Sequence, residues 1–336
     1  MKKLLHVFIP LIAVLYFSIV TAAAETGKSA PTSQIEELSQ AYGYCLGQQY
    51  SMERIKKEYP HISQDVYKAQ LEFDHTFKFS CDNIADNLQK RMKTKWTAYE
   101  KDMASNIHKM SFSMPLSEAQ AEAFLREVRS RAKGNIESPV LETLLTNNLF
   151  FQKNPSEEFV RGFVKTFRTG SHPKTKGVDF HIKYPMSWKA KEGQRPNVIQ
   201  IITSENGRGR DSIVLMVKNI PLPTGYRISN KERDDFFTES SLKGMVPDGA
   251  KLIYVQPIVL EQLKSGMMVF NQEVQRLDQT IVMRNLHYIL LVRDKLIFIQ
   301  CMTGETIQQR STVVDRFKRM ERLFKLVGNS LVIHIQ

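Results

Sequence analysis

Hydrophobic positions recur along this chain with three different periods, and each period predicts a different kind of structure. Leu4 to Val20 is a nearly unbroken apolar run behind Lys2 and Lys3, closed by the small residues Thr21-Ala22-Ala23-Ala24. A basic start, an apolar centre and an A-x-A-like exit are the features of a secretory signal peptide, cleaved near Ala24. Residues 25–32 are polar and expected to be disordered.

From residue 33 to 168 the apolar positions return every three or four residues, the period of a helix packed on one side. Ser33-Gln34-Ile35-Glu36 reads as a capping box before Ile35, Leu38, Tyr42, Cys45 and Leu46. Pro60 ends that segment. Ser63 can open the next, with Val66, Phe73 and Phe77 along one stripe and Tyr67 and Leu71 beside it. Further helical sequence runs from Asp82 to about Lys109. Ser117-Glu118-Ala119-Gln120 is a second capping box, and Gly134 can stop its helix. Ser138-Pro139 and Asn154-Pro155 each set a cap before a first-turn proline. Phe159, Phe163 and Phe167, spaced by four, predict one helix from Pro155 to Arg168.

Residues 169–177 combine Gly, Pro and charge and make the expected linker. Beyond them the period falls to two, as in a half-buried strand. Val178, Phe180, Ile182 and Tyr184 alternate with polar neighbours up to Pro185. Strands follow at Val198–Thr203 and Ser212–Lys218, then a helix capped by Asn230 and running to about Lys243. Four longer strands are expected at Lys251–Leu260, Met267–Leu277, Thr280–Val292 and Lys295–Met302. A closing helix from about Glu305 to Leu326 would bury Ile307, Val314, Phe317, Met320 and Phe324. Strands in succession, with helices before and after them, imply an α+β fold: an all-α domain over 33–168, then an α/β/α sandwich with an antiparallel sheet over 178–330.

Composition sharpens this picture. Lys and Arg number 47 against 35 Asp and Glu, a formal net charge of +12, spread along the chain and not gathered in one block. Such a surface suits an acidic partner or a weak contact with an anionic membrane surface. Nucleic acid is not expected, because export removes the usual target and no nucleic-acid-binding motif is present. The three cysteines would meet an oxidising compartment. Cys45 and Cys81 lie in the helical half, where a bridge between them and a pair of separate thiols both remain open. Cys301 sits in an apolar strand and reads as a buried small hydrophobe.

The segment Gly177-Val178-Asp179-Phe180-His181-Ile182-Lys183-Tyr184-Pro185-Met186-Ser187-Trp188 resembles the opening of PsbP-like domains, in which a strand ends at proline with tryptophan close behind. That family includes the extrinsic P subunit of photosystem II, bacterial envelope relatives and Mog-type Ran-binding factors. The resemblance implies a binding or assembly role, usually without catalysis. The helical half is assigned to no family; Leu38 to Gly47 and the helix after Leu116-Ser117-Glu118 faintly resemble the helical dimerisation region of exported FKBP-type prolyl isomerases, with no isomerase domain following, and this half offers a surface for a partner or for a homodimer.

Catalytic and ligand-binding patterns were sought in turn. Gly207-Arg208-Gly209-Arg210 lacks the following helix or lysine of a phosphate loop, which leaves Arg208 and Arg210 as partner-binding candidates on a mobile hairpin tip. Trp96, behind the basic run Lys90 to Lys95, is a third such candidate. No histidine or cysteine spacing predicts a metal site, no motif predicts a cofactor, and no hydrolase signature appears. The reading is therefore an exported, non-catalytic binding or assembly protein of a bacterial periplasm or secreted space, with an envelope or secreted protein, or a small ligand, as its partner. The alternative is a hydrolase or isomerase with a site in the cleft between the two domains, drawing on Asp74, His75 and His287.

Overall fold

The computed structural model describes residues 34–334 apart from 224–225, 227 and 277–278, so the predicted leader and the Ser33 cap lie outside the described residues. Contacts divide the chain into two compact units between Arg129 and Ser130.

The first unit is helical. Helices α1 (Gln34–Glu58), α2 (Ser63–Met92), α3 (Trp96–Ser113) and α4 (Glu118–Ala132, reaching into the next unit) follow one another. Pro60 sits at the tight connection after α1, because it has no N–H to continue the helix. Lys93, with φ 52°, ends α2 in a left-handed conformation before a short 3₁₀ turn leads into α3. Small residues Ala41, Ala69 and Ala121 are fully buried and let the helices approach, while Phe73, Phe77, Ile84 and Leu88 of α2 fill the interior. A disulfide joins Cys45 on α1 to Cys81 on α2. Tyr42 donates to Glu100 (2.7 Å) and Arg54 to the Ser111 carbonyl (2.7 Å), fastening α1 to α3. The second capping box forms as read: the Ser117 N–H donates to the Gln120 side chain, whose own backbone N–H donates to Ser117 Oγ.

The second unit begins with three short helices, α5 (Pro139–Thr146), α6 (Leu149–Lys153) and α7 (Pro155–Val160). The single helix expected over 155–168 is two elements. Gly162, at φ +87°, ends the helical path, and Val164–Arg168 forms strand β1, paired antiparallel with β2 (Asp179–Pro185). The spacing of phenylalanines by four was a poor guide because Phe163 is buried at the break itself, against Phe151. The expected linker is also tied down. Thr169 is buried and its Oγ1 accepts from the Phe180 N–H (2.8 Å), and Lys176 donates to Asn197 Oδ1 (2.6 Å). Residues 130–177 thus belong with the sheet, and the boundary lies about forty positions earlier than the composition implied.

Seven strands form an antiparallel sheet in the order β3-β4-β5-β9-β8-β7-β6: β3 (Lys189–Glu192), β4 (Val198–Thr203), β5 (Asp211–Asn219), β6 (Lys251–Leu260), β7 (Leu263–Arg276), β8 (Gln279–Val292) and β9 (Lys295–Thr306). Helices α8 (Asn230–Phe236) and α9 (Glu239–Lys243) precede β6, and α10 (Arg310–Asn329) and β10 (Val332–His334) close the chain. Strands β1, β2 and β10 make a separate three-stranded sheet. The cap of α8 is Ser229, one residue before the expected Asn230, in a reciprocal capping box with Glu232. The last helix starts at Arg310, because β9 continues through Glu305, and it buries Val313 in place of Val314 while Ile307 stays exposed.

Alternation along the strands defines two faces. Ile213, Leu215 and Val217 of β5, Ile297, Ile299 and Cys301 of β9, and Leu286, Tyr288 and Leu290 of β8 pack against Phe317, Met320, Phe324 and Val327 of α10. On the other face, Phe237 and Leu242 cover Met268, Phe270, Ile289 and Leu291. Helices on both sides of the sheet make this unit an α/β/α sandwich and the whole chain α+β. The PsbP-like opening is fixed by Glu158 of α7, a buried carboxylate that accepts from both the backbone N–H (2.8 Å) and the hydroxyl (2.7 Å) of Ser187.

Burial pushes the Glu158 carboxyl up to about 7, against the pull of the Ser187 donors and of Lys165. The folded chain therefore holds a proton that an unfolded glutamate releases near 4.5. This contribution is complete below pH 4.5 and is lost as the pH rises through 7, amounting to roughly 3 kcal/mol. Denaturant midpoints measured across that interval should fall for the native chain, and Glu158→Gln should flatten the slope.

Candidate binding site on the second face of the sheet

Of the three partner-binding candidates, Trp96 is overturned first. Its ring is buried, 5.5 Å from that of Tyr42, so it is a core anchor at the start of α3 and offers no surface. The basic tip is not the mobile loop expected. Glu205, Asn206 and Gly207 are all left-handed (φ 54°, 54° and 88°), a strained path for two non-glycine residues. The turn is held by Asn206 N–H to the Ser187 carbonyl and Gly209 N–H to the Ser204 carbonyl, both 2.9 Å. Arg208 is exposed. Arg210 is engaged by Glu305 and by Gln309 Oε1 (2.9 Å).

Arg210 belongs to a network centred on Arg316 of α10. Arg316 makes a two-pronged contact with Asp211, at 2.8 Å through Nη2 and 3.1 Å through Nε, and donates to Glu305 through Nη1 at 2.9 Å. Both carboxylates are almost wholly buried. The motif reading missed this because Asp211 and Arg316 lie 105 positions apart. The arrangement clamps the N-terminal end of β5 and the C-terminal end of β9 to the helix, and its charges compensate one another.

The residues of the alternative catalytic set fall in different units. Asp74 and His75 are adjacent positions on α2 in the first unit, and His287 lies on β8 in the second. Burial alone holds the His287 imidazole down at about 3, so it is neutral at ordinary pH and poorly matched to proton abstraction near neutrality. Burial also pushes the Cys301 thiol up, away from the nucleophilic form. Among the described residues no group of three or more metal-ligating side chains occurs. A surface cavity of about 250 Å³ is lined by Lys251, Asn271, Glu273 and Arg310. Three of its polar side chains are engaged: Arg310 donates to Glu273 (2.5 Å), and Asn271 accepts from Arg284 (2.9 Å).

The remaining surface is the second face of the sheet. The cover formed around Phe237 and Leu242 lies over β7 and β8, where α9 comes so close that a Cβ on Gly266 would sit 2.2 Å from Leu242. It reaches Leu296 and Phe298 of β9. Past it the register places Met268, His287, Gln300, Val214 and Ile201 in one row across five strands. The next row is Phe270, Asn285, Met302, Ser212 and Thr203. Ile201, Val214, Met216, Gln300 and Met302 are all partly exposed. His287 packs edge-on to Phe270, with ring centres 4.7 Å apart. Asn285 is 2% exposed, and its Nδ2 has no hydrogen-bond partner among the described residues.

An orphaned buried amide costs roughly 1–3 kcal/mol. Methionine and aliphatic side chains around uncharged polar groups suit an apolar surface that carries a carbonyl or hydroxyl oxygen. None of this was legible as a motif, since the row exists only once five strands are in register.

Fold and surface together describe a two-unit α+β chain whose sheet has a partly exposed second face of mixed apolar and uncharged polar side chains. No protein-family model matches the chain, and no curated protein does. Among solved structures, PsbP of Synechocystis sp. PCC 6803 is similar to 51% of this chain over 92% of its own, at 15% identity and a TM-score of 0.32. LpqN of Mycobacterium tuberculosis, involved in cell envelope biogenesis, covers 54% of this chain and 96% of itself at 9% identity and TM-score 0.30. The Ran-binding protein Mog1p of Saccharomyces cerevisiae covers 51% and 95% at 10% identity and 0.32. These likenesses each span about half of the chain and say nothing of what it binds.

Proposed function

We propose that this is an exported, non-catalytic binding or assembly protein of the bacterial envelope or secreted space, acting through the second face of its sheet. The observation that carries the reading is the partly exposed row around Gln300 and Met302, with the unpartnered Asn285 amide beside it. Its occupant is a protein segment or small molecule that is apolar and uncharged where it meets the sheet. The Cys45–Cys81 bridge supports an oxidising compartment, in agreement with the leader read from residues 1–24. Among the described residues no helix is long and apolar enough to cross a membrane.

A photo-crosslinking side chain at Val214 should form an adduct in cells that Met302→Arg abolishes without moving the unfolding midpoint. The reading fails if the adduct is no stronger than at a solvent-facing control such as Arg319, or if it survives Met302→Arg.

A further inference from the structure

Strand β10 is held to β2 by three residue pairs: Val332 with His181, Ile333 with Phe180 and His334 with Asp179. Phe180 and Ile333 pack into the core, and Leu331 is buried just before the strand. Side chains alternate between faces, so His181 and His334 share the outward one, where both are partly exposed. They meet diagonally across the two strands. His181 Nδ1 lies 2.9 Å from His334 Nε2, with ring centres 5.0 Å apart. Ser330 Oγ accepts from the Lys183 N–H (2.9 Å) and fixes the chain immediately before β10.

Two imidazoles at that distance share one hydrogen bond, and it needs an unprotonated nitrogen as acceptor. One added proton can be held between the rings. A second leaves two N–H groups facing each other and two positive charges side by side. The surroundings do not relieve this. Arg168 of β1 is the register partner of His181, and Lys183 is exposed two positions along β2. Asp179 is paired with His334, but its Oδ1 accepts from Thr169 Oγ1 (2.9 Å) and the Gly170 N–H (3.0 Å). Glu261, in the turn between β6 and β7, favours the charged imidazole. Burial, Arg168, His334 and Lys183 outweigh it and hold His181 below its ordinary 6.5. Arg168 and Lys183 equally disfavour a metal cation between the rings. On a detached strand the two rings accept protons independently. The detached form therefore takes up more protons as the pH falls through about 6.5, so pairing is complete above that value and weakens below it.

We propose that the His181–His334 pair is an acid-sensitive latch, which holds β10 on β2 at neutral pH and loosens it when the second proton binds. The inference uses no residue of the sheet face and stands or falls apart from it. Hydrogen exchange of the full chain, its disulfide intact and rates corrected for intrinsic pH dependence, tests it. From pH 7.5 to pH 5, protection of a peptide covering β10 should fall on the order of tenfold while that of α10 holds. Glu158 cannot produce such a loss, since its own contribution grows as the pH falls. His334→Gln, which keeps a hydrogen-bonding side chain without a titrating charge, should leave protection of β10 level across the interval. In the native chain, nuclear magnetic resonance of the two imidazoles should show coupled titration, with one midpoint well below 6.5. Level protection of β10 in the native chain would overturn the proposal, as would an equal fall in His334→Gln, or two independent titrations at ordinary values.

Discussion

Arg316→Ala is expected to be among the most damaging single substitutions in the sheet domain, costing about 3–5 kcal/mol. The guanidinium is the common partner of Asp211 and Glu305, whose side chains are only 6% and 7% exposed. Truncating it leaves two carboxylates in a poorly hydrated place with only Arg210 beside Glu305. The penalty comes from these abandoned charges more than from the loss of a favourable pair, because desolvation offsets much of what a buried ion pair gains. Arg316→Lys should recover only part of the loss, since an ammonium cannot make the two-pronged contact with Asp211. Chemical denaturation of both variants, with Arg319→Ala as an exposed control on the same helix, tests this; a change under about 1 kcal/mol for Arg316→Ala would contradict it.

The second large effect belongs to the helical unit. Removing the Cys45–Cys81 bridge by Cys→Ser at both positions should lower its stability by about 4 kcal/mol, the chain-entropy value for a closed loop of 36 residues. The free chain would otherwise explore many arrangements of α1 against α2 that the cross-link forbids. Thermal unfolding followed by the fluorescence of Trp96, packed between Tyr42 and Tyr99, in a Trp188→Phe background that removes the second tryptophan, reports this unit selectively. Reduction of the native protein should reproduce the shift and leave the double-serine variant unchanged.

Legibility in the sequence followed the range of the interactions involved. All four long strands were predicted, β6 and β8 to within one residue while β7 starts four residues earlier and β9 runs four further, because alternation over ten or more positions is a strong local signal and the turn at Arg293-Asp294-Lys295 interrupts it sharply. The capping box at Ser117 was equally plain, being complete within four residues. Errors arose where a local pattern was overridden by partners elsewhere. Phe163 and Phe167 kept a helical spacing, yet β2 recruits Val164–Arg168 as a strand. Glu305 looked like the beginning of a helix, but it remains extended to meet Arg210 and Arg316. Arg210 looked like a free cation for the same reason: Glu305 lies 95 positions away. Trp96 stood in a basic run and was still claimed by Tyr42. The candidate face was the least legible feature, since Asn285, His287, Gln300 and Val214 are dispersed in the chain and polar or apolar in no tell-tale order.

Proline 257 in the middle of β6 has a further implication for how anything can approach this domain. β6 is the last strand on its side of the sheet, and a proline there interrupts the outward row of amide donors. The opposite border, β3, is only four residues long and carries Lys189, Lys191 and Glu192. Neither margin can readily accept an added strand from a visitor or from another copy of the domain. Any partner of this unit is thereby steered away from backbone zippering at the sheet margins and toward side-chain contacts.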